Sequence, residues 1–370
     1  MTLDAATRLP IRVLVVDDSA FMRTALSRMV SSEAGIEVVA TACNGSDALE
    51  KIASLDPDVV TLDVEMPGLN GLQTLRYIMQ RFPRPVIMVS SVTERDAENT
   101  FNALAAGAFD YVPKQLAPTS LDILHIRQDL VAKIRAAAQS RISHSADVVC
   151  RKPPQSSSSL ESPDRAFASR TEIVALGIST GGPKALQEIL PLFPHDLSVP
   201  ILIVQHMPPG FTASFAQRLN SLCSVAVREA TDAESIQPGV IYFAPSRKHM
   251  TVERVSASRT VIRLNTQPDD SLHIPSVDVL MNSVAAAFRE LALGVIMTGM
   301  GCDGAAGMQS IHRQGGLTIG QDEATCTVYG MPRACAQLGI LTRVVPLTRI
   351  PDQILAATHY QSRARANSPS

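Results

Sequence analysis

Between residues 11 and 138, short β-rich apolar runs alternate with stretches in which apolar side chains recur at helical spacing. The apolar runs fall at 12–16, 37–40, 59–62, 86–89 and 109–112, and each ends in polar or turn residues. Between them the periodicity predicts helices, for example over 20–30, 46–53 and 72–81, with a last one over 121–138. Strands alternating with helices predict right-handed crossovers and a parallel sheet covered on both faces.

The pattern then breaks. Residues 139–170 are rich in Ser and Pro, including Pro153-Pro154-Gln155 and the run from Ser156 to Ser159. Such a stretch cannot bury enough apolar surface to fold alone, so it is expected to be a flexible linker. A second α/β region follows over 171–360, with strands expected at 173–178, 201–205 and 294–298. Two further β-rich segments, 239–243 and 249–264, have turn residues between them and suggest an antiparallel excursion. The expected organisation is therefore a first domain over 11–138, a linker over 139–170 and a second domain over 171–360, without internal repeats.

Composition narrows the function classes. The 370 residues are 45% hydrophobic and 18% charged with a net charge of −2, an ordinary globular balance with room for two cores. No basic patch interleaved with aromatics is present, which argues against nucleic acid as a partner. The six cysteines form no C-x-x-C pair, so zinc, redox and disulfide roles are not expected. Asp4 and Arg8 interrupt any signal-like segment, and runs such as Ile201-Leu202-Ile203-Val204 are too short to span a bilayer. A soluble, cytoplasmic protein without membrane insertion is expected.

In the first domain, Asp17 and Asp18 follow Val13-Leu14-Val15-Val16, and Asp63 follows Val59-Val60-Thr61-Leu62. All three carboxylates would lie at the carboxyl ends of parallel strands, the ligand crevice of an open α/β sheet. Hard oxygen ligands there suit Mg²⁺, and one carboxylate could take a phosphoryl group as an acyl phosphate. Ser90 ends the fourth run and Lys114 follows the fifth, where a hydroxyl and an ammonium would reach phosphoryl oxygens.

These residues, with Leu62-Asp63-Val64-Glu65-Met66-Pro67-Gly68, Val89-Ser90-Ser91 and Tyr111-Val112-Pro113-Lys114, resemble response-regulator receiver domains. The resemblance implies a flavodoxin-like (βα)5 fold with Asp63 as phosphoryl acceptor from a histidine kinase. It also implies Mg²⁺ held by Asp17, Asp18, Asp63 and the backbone carbonyl of Glu65, with Ser90 and Tyr111 at the positions that respond to phosphorylation. Gln115 stands where the family usually has the proline of a Lys-Pro pair, which puts the usual cis bond there in question.

In the second domain, Gly177-Ile178-Ser179-Thr180-Gly181-Gly182-Pro183 joins an apolar run to a helical one. Gly-x-Ser-x-Gly at a strand-to-helix turn presents a hydroxyl beside helix N–H groups. A glycine-rich turn that cradles a phosphate or nucleotide is the competing reading. His206 follows the run at 201–205, and Asp303 follows the run at 294–298 through Gly299-Met300-Gly301-Cys302. A parallel sheet would bring serine, histidine and aspartate to one rim, as nucleophile, base and orienting acid.

The order Ser–His–Asp differs from that of ordinary α/β-hydrolases. Together with Gln205-His206-Met207-Pro208-Pro209-Gly210, Thr298-Gly299-Met300-Gly301, Asp303-Gly304-Ala305 and Val328-Tyr329-Gly330-Met331-Pro332, it resembles CheB-type protein-glutamate methylesterases. The resemblance implies a doubly wound, mostly parallel α/β esterase domain with an antiparallel hairpin. Ser179, His206 and Asp303 would be the triad, with the Met300 N–H donating to the oxyanion and Thr180 beside His206. Cys302 replaces the Asn of many members, which puts a side-chain contact there in doubt.

The implied activity is hydrolysis of glutamyl methyl esters on methyl-accepting chemotaxis receptors, with deamidation of receptor glutamines by the same machinery. No cofactor is expected for the esterase step. The chemotaxis histidine kinase would be the phosphodonor, and the unphosphorylated receiver is expected to cover the Ser179 rim. Two readings from other classes remain: a phosphorylation-controlled binding module whose Ser179 loop holds a phosphate or nucleotide, and a transcription regulator. The latter needs a basic helix-turn-helix, which the α/β pattern after the linker does not offer.

Overall fold

The structure, a computed structural model, describes residues 9–91, 94–114, 120–146, 171–256 and 259–358. The chain forms two compact units, divided between Gln155 and Ser156.

The first unit runs β1 (Ile11–Val16), α1 (Ala20–Ser31), β2 (Ile36–Ala42), α2 (Gly45–Leu55), β3 (Val59–Asp63), α3 (Gly71–Arg81), β4 (Val86–Ser90), α4 (Glu94–Ala105), β5 (Asp110–Pro113) and α5 (Ser120–Ala146). Its five strands are all parallel, in the order β2-β1-β3-β4-β5. β3 and β4 are buried along their whole length, which is why their sequences are continuous apolar runs rather than alternating ones. Local signals set the helix starts. The Ser19 side chain caps α1, Asn44 caps α2, and Asn70 with Gln73 closes a capping box on α3. Helix α5 continues to Ala146, eight residues past 138, where the apolar periodicity weakens. The rest of the Ser/Pro-rich stretch (147–170) and Gln115 lie outside the described residues.

The second unit comprises β6 (Ile173–Ile178), α6 (Gly182–Ile189), β7 (Ile201–Gln205), α7 (Thr212–Leu222), β8 (Ala226–Glu229), β9 (Val240–Phe243), β10 (His249–Ser256), β11 (Arg259–Asn265), α8 (Val277–Phe288), β12 (Ala292–Ile296), α9 (Ala305–Arg313), β13 (Leu317–Gln321), α10 (Met331–Gln337), β14 (Arg343–Val345) and α11 (Ile350–Ala357). Seven strands make one parallel sheet in the order β14-β13-β12-β6-β7-β9-β8. The first strand of the unit, β6, therefore lies between β12 and β7. The chain builds one wing of the sheet, returns to the middle and builds the other.

The antiparallel hairpin is β10–β11, and its buried Met250, Val252 and Ile262 join the same core as Leu280 and Val284 of α8. The segment at 239–243 does not belong to it. β9 pairs parallel with both β7 and β8, so half of the expected antiparallel excursion is part of the main sheet. Apolar content marks a strand as buried but carries no information on partner direction, which the crossover sets. β8, β13 and β14 were not anticipated. β8 and β14 are only four and three residues long, and Thr318 and Gln321 make β13 more polar than its neighbours, although it is buried throughout. The strand expected at 294–298 spans Ala292–Ile296 instead, which leaves Met297 and Thr298 to start the loop.

Candidate active site and acidic pocket

Three adjacent strands, β12, β6 and β7, end at one rim, and the loops after them carry Asp303, Ser179 and His206. This is where the strand order reverses, the point at which an open α/β sheet leaves a crevice. Ser179 is half-buried, and the backbone at Ile178 and Ser179 is tied to the loops after β7 and β12. The Ser179 N–H donates to the Thr298 carbonyl at 3.0 Å, and the His206 N–H donates to the Ile178 carbonyl at 3.1 Å. The Gln205 side-chain amide donates to the Ser179 and His206 carbonyls at 3.0 and 2.9 Å, locking the two loops together. Gly181, at φ +78°, makes the left-handed turn that starts α6, where a side chain would be strained.

His206 Nε2 lies 2.8 Å from Asp303 Oδ2, and both side chains are about nine-tenths buried (10% and 11% exposed). His206 Nδ1 is buried and has no hydrogen-bond partner among the described residues. Asp303 sits at the N-terminus of α8. It accepts from the Val277 N–H at 2.8 Å, the Asp278 N–H at 3.0 Å and the Ser276 hydroxyl at 2.9 Å. Burial pushes the Asp303 carboxyl up, but the imidazole and the helix-end N–H groups outweigh it and hold the group well below the usual carboxylate range. Asp278, in the first turn of α8, caps the neighbouring helix in return by accepting from the Gly307 N–H of α9 at 2.7 Å.

Gly299 packs against the serine, and a Cβ there would come 2.9 Å from Ser179 Cβ. Met300, next in that loop, is half-buried, and its N–H donates to none of the described residues. Thr180 is buried; its carbonyl accepts from Thr298 Oγ1 at 2.9 Å, and its hydroxyl does not bond the His206 ring. Cys302 is exposed. Sequence reasoning missed Ser276, Gln205 and His273, whose ring stacks on that of His206 with centroids 4.1 Å apart. Gln205 is the last residue of β7 and adjoins His206, so its strand-end position was a usable signal; Ser276 and His273 lie at no strand end.

In the first unit, ligand atoms of Asp17, Asp18 and Asp63 all lie within 4.8 Å of one another, and Asp18 is exposed to solvent. Lys114 Nζ reaches Asp63 at 2.5 Å and Asp17 at 3.1 Å. One ammonium against three carboxylates leaves two negative charges unbalanced, and burial raises the Asp63 carboxyl to about 6 despite Lys114. Hard oxygen donors with a charge deficit of that size fit a divalent cation. The Glu65 N–H donates to Asp63 Oδ1 at 3.1 Å and so holds the start of the following loop against the pocket. Ser90 Oγ accepts from Thr100 at 2.8 Å, which links β4 to α4. Tyr111 is buried, with its carbonyl bonded by Lys133 Nζ at 2.6 Å and its ring 5.5 Å from the same ammonium.

A family model described as CheB methylesterase matches residues 174–354, and one described as response regulator receiver domain matches 13–124. The chain is 43% identical to the protein-glutamate methylesterase/protein-glutamine glutaminase 1 of Oleidesulfovibrio alaskensis, over 94% of this chain and all of that one. The chain belongs to the CheB methylesterase family. A second CheB relative, the protein-glutamate methylesterase/protein-glutamine glutaminase 2 of Nitratidesulfovibrio vulgaris, is 45% identical over 91% of this chain and 96% of its own. Among solved structures, the Thermotoga maritima CheB methylesterase catalytic domain is 37% identical at a TM-score of 0.49, covering 50% of this chain and 97% of that one. Among the described residues, no helix is long and apolar enough to cross a membrane.

Proposed function

We propose that this chain is a protein-glutamate methylesterase controlled by its receiver domain, and that Ser179, His206 and Asp303 carry the reaction. The observation that carries the assignment is the His206–Asp303 pair, 2.8 Å apart, on the loops that flank the Ser179 turn. Because Nε2 is engaged by Asp303, Nδ1 is the nitrogen left to act as base. Ser179 Oγ attacks the ester carbonyl as Nδ1 takes its proton, and Asp303 holds the Nε2–H tautomer and stabilises the imidazolium. The tetrahedral oxyanion accepts from the Met300 N–H, which has no competing partner among the described residues. Collapse breaks the C–O bond to methoxide, which leaves as methanol with the proton from Nδ1. Water then attacks the acyl-serine by the same base and releases the glutamate. A glutamine side chain passes through the same kind of intermediate and releases ammonia, which accounts for the second activity in its relatives' names.

The substrates proposed are methylated chemotaxis receptors, and the phosphodonor is the chemotaxis histidine kinase; both reactions would take place in the cytoplasm. Asp63 is the phosphoryl acceptor, with Asp17, Asp18, Asp63 and the Glu65 carbonyl as Mg²⁺ ligands. The ion, when bound, offsets negative charge on the carboxylates and the incoming phosphoryl oxygens. Lys114 is close enough to Asp63 to bond a phosphoryl oxygen attached there, and Ser90 and Tyr111 respond to that group.

The test is methanol release from methylated receptor membranes, with and without a small phosphodonor and Mg²⁺. The wild type should release methanol faster with the donor, and Ser179→Ala should release none in either case. A Ser179→Ala protein that keeps the wild-type rate would overturn the assignment. A binding module without chemistry would also fail to label Ser179 with an organophosphorus probe.

A further inference from the structure

The triad fixes only one atom of the catalytic ring. His206 Nε2 is bonded to Asp303, while Nδ1 has no partner among the described residues. An imidazole held by a single hydrogen bond still has a soft torsion, because the sp³–sp² bond to the ring is broad and roughly two-fold. Whether Nδ1 faces Ser179 is therefore decided by what packs on the ring face. That face is covered by His273, whose ring lies 4.1 Å away with the planes 23° apart.

His273 belongs to the segment 266–276, which joins the hairpin to α8 without regular structure. A single side chain clips both ends of it. His249 is fully buried; its Nδ1 accepts from the Ser276 N–H at 3.1 Å, and its Nε2–H donates to the Pro268 carbonyl at 3.0 Å. With an N–H on one side and a carbonyl on the other, these partners define a single neutral tautomer. The Arg247 N–H holds the middle by donating to the Ile274 carbonyl at 3.2 Å. The strap ends on Ser276, whose hydroxyl donates to Asp303. His249 thus braces the orienting acid and the stacked ring through the same segment.

We propose that 266–276 is a positioning strap for the general base: His273 sets the plane of the His206 ring, and His249 is the clip that keeps His273 there. The proposal rests on the triad reading above. It assigns neither residue a proton transfer, so the expected signature is geometric rather than chemical.

Methanol release from methylated receptor membranes tests it. His273→Ala removes the stacked face from a half-exposed position. It should lower kcat between about tenfold and 100-fold, as displacement of a reacting group does. KM should stay within about twofold, because no ground-state contact is lost. His273→Phe keeps an aromatic face without a ring nitrogen and should restore most of kcat. Imidazole ¹⁵N spectra of His206 should show the Nε2-protonated tautomer in wild type, His273→Phe and His273→Ala alike, because Asp303 still selects it and only the ring plane is released. His249→Gln, which can still donate and accept, should lose less activity than His249→Leu.

Wild-type kcat in His273→Ala would overturn the proposal. So would a loss that raises KM and is not rescued by Phe, since that would make His273 a substrate contact. Ser179→Ala is the control that separates the two readings. If it is inactive while His273→Ala matches wild type, the triad stands and the strap fails. If it stays active, the triad itself fails.

Discussion

Asp303 and Asp278 sit at adjoining helix N-termini, and their carboxyls shift in opposite directions. Asp278 is raised by burial, with the Asp303 charge adding to the effect; Asp303 is lowered because His206 and three donors at the start of α8 outweigh its burial. A carboxyl lowered on folding stabilises the protein above its unfolded pKa, near 3.8, and that stabilisation is lost as pH falls. A raised carboxyl does the reverse and favours the folded state as pH falls. Asp303→Asn should therefore flatten the loss of stability as pH falls below about 4, and Asp278→Asn should steepen the loss as pH falls towards about 4 from above, as read from urea midpoints. Catalysis gives a second readout. Asp303→Asn no longer stabilises the imidazolium or selects the Nε2–H tautomer, and kcat for methanol release should drop by about 10⁴.

Elements bring these residues together through close backbone approach. β6 is flanked by β12 and β7, so three loops converge only if nothing fills the space between them. Gly299 is one such point, since a Cβ there would press on Ser179 Cβ and on the Met331 sulfur. Gly299→Ala should cost about 1–3 kcal/mol of stability by overpacking, in urea denaturation. It should also lower kcat, because the nucleophile has to shift. The strands that carry Ser179 and His206 were visible as apolar runs ending in a chemically distinctive residue, and β1, β3, β4 and β5 were visible in the same way. β9 was visible as a strand but not as a parallel one, because burial marks the segment and not the neighbour it pairs with. β8 and β14 are too short for periodicity to reveal, and the polar positions of β13 hid it.

On the scale of the whole molecule, two chemistries are proposed to be coupled: phosphoryl acceptance at Asp63 and ester hydrolysis at Ser179. The proposal gives them different metal requirements, and that can be tested directly. Removing divalent cations with a chelator should abolish stimulation of methanol release by a small phosphodonor. The basal rate should not change, because the proposed triad uses only side chains and backbone N–H groups. Asp63→Asn should behave like the chelated protein: basal rate near wild type and no response to the donor. A chelator that stopped basal hydrolysis would point to a metal in the esterase step.

The sequence by itself determined the chemical groups available and where along each strand they fall. It placed carboxylates after β1 and at the end of β3, a serine in a glycine turn, a histidine and an aspartate after two further strands, and a Ser/Pro-rich stretch between two α/β patterns. Those features are local, because strand ends, caps and turns are written in a few consecutive residues. The tertiary structure alone decided which strands lie side by side, which nitrogen of His206 meets Asp303, and that His249, His273 and Ser276 converge on that pair. Those contacts join residues far apart along the chain, 97 positions in the case of His206 and Asp303, and no short window of sequence carries a distance that only folding closes.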